Sequence, residues 1–179
     1  AGNDGQQVNS TNNFPTDKYA RRGLFGPKHA PNWIEVGAAN WEGGENLAAS
    51  FSNYSPEYVD VFAPGTAIYS TAPDNEYENS QGTSMAAPVV AGVAAMLRAY
   101  FPDLTAEQVK EIISTSTDQP SAQMVIKPGT DEKVPFSELS VSGGVINIEK
   151  AVEKAIQTKG KKRKAAKRAV KQLKPNPKA

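Results

Sequence analysis

No cysteine occurs among the 179 residues. Disulfide stapling, thiolate catalysis and cysteine-based zinc sites are therefore excluded. The chain has a single histidine, which rules out a histidine-rich metal site as well. Long apolar runs are also missing. The apolar residues come in short stretches broken by Gly, Pro, Asn and Ser, and none reaches the roughly 18–20 uninterrupted residues of a membrane span. No secretory leader is recognisable. The opening Ala1-Gly2-Asn3-Asp4-Gly5 reads as an entry into the middle of a longer protein.

What is present is one domain's worth of sequence. Hydrophobic residues make up 39% of it, enough for a real core in a chain of this length. The net charge of +1 conceals an asymmetry. All 19 acidic residues lie at or before Glu153, and 10 of the 20 basic residues lie at or after Lys159. The body thus carries 10 − 19 = −9 and the tail +10. This divides the chain into a folded body, 1–158, and a basic tail, 159–179, expected to be disordered or loosely helical.

Gly, Pro and Asn punctuate the first thirty residues, which read as loop. Trp33–Ala39, Leu47–Ser52 and Val59–Ala63 read as short strands, Ala67–Ser70 as a fourth, and Pro64-Gly65 as a turn. From Ser84 to Tyr100 the sequence is apolar nearly all round, which predicts a buried helix. Thr105 and Gln108 form a capping box for a second helix with Val109, Ile112 and Ile113 on one face. Residues 119–142 read as a hairpin or loop excursion around Pro128-Gly129. Asn147 is placed to cap a third helix through Gln157.

The segment that carries chemistry is Gly82-Thr83-Ser84-Met85-Ala86-Ala87-Pro88. It sets a serine at a helix N-terminus, where unpaired N–H groups and the positive end of the helix dipole would meet whatever the hydroxyl attacks. An acyl-transfer intermediate develops an oxyanion, and free N–H donors are what it needs. Taken alone, a serine at a helix start is ordinarily a cap.

The surrounding motifs change that weighting. The segment Gly82–Gly92, GTSMAAPVVAG, is similar to the nucleophile signature of the subtilisin-like serine peptidases. Ala1–Gly5 resembles the family's oxyanion-hole segment, and Glu35–Ala38, Ala49–Tyr54, Asp60–Gly65 and Gly143–Asn147 resemble further family segments in the family's order. The resemblance runs from Ala1 to about Ile156. It implies the C-terminal portion of an α/β, three-layer fold with a mainly parallel central sheet. It implies serine endopeptidase activity through an acyl-enzyme on Ser84. Asn3 would donate to the oxyanion beside the Ser84 N–H, and Gly2 would line the pocket for the residue before the scissile bond. The substrate would be a polypeptide, with no organic cofactor and no specific nucleic acid, and the location would be secreted, periplasmic or cell-surface.

There are departures from the family pattern. Val89 stands where many members have a histidine that is not the catalytic one. Residues 16–29 and 119–141 look like insertions. In the family the triad's aspartate and histidine both precede the oxyanion asparagine, so the segments bearing them are expected in a missing N-terminal half of the domain. His29 follows Asn3, lies in what reads as a surface loop, and is rejected as the base. Some members place a cation ligand at the position of Asp60, so bound calcium there is considered, although an aspartate beside a strand is ordinarily solvated. Asp74, Glu76 and Glu78 read as an acidic loop close to where leaving-group residues would pass. The rival readings are a pseudo-enzyme that keeps the fold for binding, and a polyanion-binding module driven by the basic tail.

Overall fold

A computed structural model describes residues 1–10, 12, 30–120 and 123–161, together with the backbone of 19–23 and 26–29. The basic tail from residue 162 onward lies outside the described residues, and so do any side-chain contacts of His29.

The centre of the fold is a four-stranded sheet. Val36–Ala39 (β3), Val61–Pro64 (β4), Thr117–Asp118 (β7) and Val145–Ile146 (β10) are ordered β3-β4-β10-β7. β3 and β10 run parallel to β4, and β7 closes the edge antiparallel to β10. The sheet is therefore mainly parallel, as expected. Its residues alternate between two buried faces with the period of a strand. Val61 and Ala63 point into one apolar cluster with Val36 and Ala38, whereas Phe62 points into the other. Burial on both faces is what a parallel sheet between two packed layers requires.

Three helices carry the first cluster. They are Thr83–Tyr100 (α1), Ala106–Thr115 (α2) and Ile148–Gln157 (α3). α1 packs on β3 and β4. The Thr105–Gln108 capping box is present at α2, and Asn147 Oδ1 accepts from the Lys150 N–H at α3. The second cluster lies under the turns of the opposite face, where Phe136 meets Phe62 edge-on at 5.2 Å between ring centroids.

Three two-stranded ribbons decorate the sheet. Tyr19–Gly23 (β1) pairs with Gly26–His29 (β2), Ile68–Ala72 (β5) with Glu76–Ser80 (β6), and Met124–Ile126 (β8) with Lys133–Pro135 (β9). The last is the expected hairpin around Pro128-Gly129.

Several sequence expectations need correction. Residues 19–23 and 26–29 are strands rather than loop, and His29 sits on the second. Leu47–Ser52 is not a strand; only Ala48 makes an isolated bridge to Ala39. Glu76 and Glu78 belong to β6, with Asp74 in the turn before it. Most consequential is α1. Its buried residues are Thr83, Ala86, Val90, Val93 and Leu97, a single stripe, and only 28% of the helix is buried. Ala87, Pro88, Ala91, Gly92, Ala95 and Ala99 face outward. By length and composition α1 is apolar enough to cross a bilayer, but its buried stripe lies on the sheet. Beyond α3, the first residues after Thr158 touch α2. The Gln108 side chain donates to Lys159 O and accepts from the Lys161 N–H, both at 3.0 Å.

Candidate active site

Ser84 sits one residue into α1, and the turn that delivers it is made by Gly82. Gly82 has φ 146°, a conformation open only to glycine, and as the N-cap residue it has no side chain of its own to cap the helix. The Gly82 N–H donates to Gly65 O at 2.8 Å, which seats the turn on the residue following β4. The Gly82 carbonyl accepts from the Met85 N–H at 3.0 Å and the Ala86 N–H at 3.3 Å. Ser84 is exposed. Among the described residues, neither its N–H nor its Oγ has a hydrogen-bond partner.

Asn3 lies against this turn. Its Oδ1 accepts from the Thr83 N–H at 2.9 Å and from the Thr83 hydroxyl at 3.0 Å. The Gly2 N–H in turn donates to Thr83 Oγ1 at 3.2 Å. With Oδ1 held twice by donors, the Asn3 amide must present Nδ2 on its other side. A side-chain carbon placed on Gly82 would lie 3.3 Å from Asn3 Nδ2 and 3.6 Å from Ser84 N. Both nitrogens, without hydrogen-bond acceptors among the described residues, thus lie near one point beside Gly82.

Sequence reasoning missed what holds Asn3 there. Asn53 is buried, and its amide staples the Ala1–Gln6 segment to the body. Its Oδ1 accepts from the Asp4 and Gln6 N–H groups at 3.0 and 3.1 Å, its Nδ2 donates to Ala1 O at 3.1 Å, and its backbone N–H donates to Gly2 O at 2.9 Å. Gly2, at φ 108°, packs so closely on this amide that a Cβ would stand 2.5 Å from Asn53 Nδ2. Asn53 closes the Ala49–Tyr54 motif, so the signal was in the sequence. Its meaning was not, because its partners lie some fifty residues away.

The arrangement brings Gly2, Asn3 and Ser84 to one place. The single histidine, His29, is on β2, whose ribbon pairs apart from the four-stranded sheet on which α1 packs. Asp60 is not solvated as expected. It is buried, with Oδ1 at 2.7 Å from Lys110 Nζ and Oδ2 accepting from the Glu35 N–H at 2.7 Å. Lys110 also donates to Trp33 O at 2.6 Å. A carboxylate already neutralised by an ammonium does not suit a cation ligand, and no group of three or more His, Asp or Glu that could hold a metal occurs among the described residues.

Comparison with known proteins gives the family. Subtilisin-like protease 1 of Plasmodium vivax is 40% identical over 108 residues, which cover 60% of this chain and 15% of that protein. Subtilisin DY of Bacillus licheniformis is 47% identical over 83 residues, 46% of this chain and 29% of that one. Among solved structures, a cold-adapted subtilisin-like serine proteinase superposes with a TM-score of 0.51 at 28% identity, over 79% of this chain and 42% of that chain. The prenylagaramide maturation protease PagA superposes with a TM-score of 0.57 at 23% identity, over 88% of this chain and 49% of that chain. The chain therefore spans less than a third of these two relatives and about half of these structures. The sequence profile of the subtilase family (Peptidase_S8) matches residues 1–162, and the chain belongs to that family.

Proposed function

We propose that this chain is the nucleophile-bearing part of a serine endopeptidase. The observation that carries the proposal is the pair of donors without acceptors among the described residues, Asn3 Nδ2 and the Ser84 N–H, beside an exposed Ser84 residue. Ser84 Oγ adds to a peptide carbonyl, and its proton passes to a general base. The carbonyl oxygen becomes an oxyanion held by the two donors. Collapse breaks the C–N bond as the base returns the proton to the leaving amine, and water then releases the acyl group by the same steps in reverse. Gly2 lines the acyl-side pocket. The base and the acid that orients it come from sequence outside these 179 residues, in keeping with the fraction of the relatives that the chain spans. The chemistry calls for no organic cofactor. An extracytoplasmic location belongs to the same reading and rests on the family resemblance alone.

The test is a fluorophosphonate probe applied to the full-length protein. Ser84 should be labelled, and Ser84→Ala should abolish labelling and reduce peptide hydrolysis to the residual rate left by the oxyanion hole and substrate binding. Normal turnover in Ser84→Ala would refute the assignment. Absence of labelling in a folded wild-type protein would favour the pseudo-enzyme.

A further inference from the structure

A cleft of about 370 Å³ opens next to the reacting corner. Trp41, Glu42, Phe51, Thr66, Asn79 and Gln81 are among the residues that line it. Gln81 directly precedes Gly82, so the cleft adjoins the nucleophile through the chain itself. The acyl-transfer chemistry makes no use of these side chains.

Their condition points to a ligand. Trp41 is 72% exposed, an unusual state for an indole with no core to fill. Yet the loop that displays it is fixed at its base. The Trp41 N–H donates to Thr66 Oγ1 at 3.2 Å, the Thr66 hydroxyl donates to Asn40 Oδ1 at 2.9 Å, and the Asn40 N–H donates to Leu47 O at 2.7 Å. Ala67, also on the cleft wall, holds φ 52°, the left-handed region that a residue with a Cβ adopts only under constraint. The β8–β9 ribbon braces the far side of the loop: the Gln123 side chain donates to Gly44 O, and Lys133 pairs with Glu45 at 2.6 Å. The brace neutralises Glu45. Glu42 has no cationic partner among the described residues, and it lines the cleft with two aromatic rings, Trp41 and Phe51.

We propose that this cleft is a substrate subsite that receives a lysine or arginine side chain on the leaving-group side of the scissile bond. The aliphatic stem lies along Trp41 and Phe51, and the cation reaches Glu42. The proposal rests on the endopeptidase reading above. That reading gives the acyl side to Gly2 and Asn3, and the cleft is built from other segments. The β8–β9 ribbon, within what reads as an insertion at 119–141, then serves to hold the selective wall in place.

The experiment uses full-length protein and peptides that differ only in carrying Lys, Ala or Glu at the first or second leaving-side position. The expected kcat/KM order at one of these positions is Lys, then Ala, then Glu, with a Lys-to-Glu ratio of about tenfold at low salt that shrinks as salt screens the pair. Glu42→Gln should collapse that ratio to about twofold or less, and Glu42→Asp should restore part of it. Gln123→Ala should weaken it while leaving fluorophosphonate labelling of Ser84 intact. Equal turnover of the three peptides by a labelled, active enzyme overturns the subsite and leaves the endopeptidase reading standing, as does a ratio unchanged in Glu42→Gln. If no peptide is cleaved, tryptophan emission decides. Saturable quenching by the Lys peptide that is lost in Trp41→Phe supports the cleft as a binding site without catalysis. No quenching overturns the proposal together with the catalytic reading.

Discussion

Asn3 has two hydrogen-bonding ends, and the fold treats them differently. Oδ1 is fixed by the Thr83 N–H and hydroxyl, whereas Nδ2 faces the space beside Gly82. An amide anchored at one end keeps the other end aimed without needing to reorganise when charge develops. Replacing Asn3 with Leu should therefore lower kcat by roughly 10²–10³ in the full-length enzyme, with KM little changed, because the lost bond forms chiefly in the transition state. Asn3→Asp separates anchoring from donation. It keeps an acceptor for Thr83 but offers the oxyanion a negative charge, so its kcat should fall at least as far as that of Asn3→Leu while thermal stability stays closer to wild type. Steady-state kinetics and a thermal melt distinguish the two effects. A rise in KM with kcat maintained would make Asn3 a ground-state contact.

At the scale of elements, the local signals were the legible ones. Thr105 with Gln108, and Asn147 before α3, announce helix starts within four residues, and both caps form as read. Strands depend on partners that the local sequence does not reveal. Leu47–Ser52 has the composition of a strand but finds only a single bridge. Glu76–Ser80 looks like a solvated acidic loop yet pairs with Ile68–Ala72, where Tyr69 and Tyr77 stack at 5.5 Å. The join between β7 and α3 gives a further prediction. Asp118 accepts from Lys150 Nζ at 2.8 Å and from Asn147 Nδ2 at 3.0 Å. The hydrogen bond from Lys150, then that from Asn147, holds its carboxyl below the usual 3.8. A depressed carboxyl stabilises the fold above its unfolded value and loses that contribution as pH falls through the folded one. Asp118→Asn should thus reduce stability near neutral pH, and the gap to wild type should close below about pH 3.8. The effect should be small, because both side chains are more than half exposed. Unfolding midpoints recorded against pH would measure it, and a gap that widened in acid would contradict the assignment.

At the scale of the molecule, the longest helix among the described residues is buried along a single stripe. α1 buries one stripe on β3 and β4, while Ala87, Ala91, Ala95 and Ala99 repeat every four residues on an outward face with Pro88 and Gly92. Small residues in such a row admit another element at close range, and the cold-adapted proteinase supplies more than half of its chain beyond the matched part. The prediction is that residues 1–179 expressed alone are catalytically silent. Ser84 is a weak nucleophile at its own pKa and needs a positioned base. The only histidine precedes β3, on a ribbon of its own. The uncovered α1 face should also make the piece prone to aggregate. The check is to treat residues 1–179 with a fluorophosphonate, first alone and then with the preceding part of the domain supplied as a second chain. Labelling of Ser84 should appear only in the mixture and should track co-elution of the two pieces. Labelling of the lone piece that disappeared in His29→Ala would identify His29 as the base after all, and would overturn the expectation that activation comes from outside these residues.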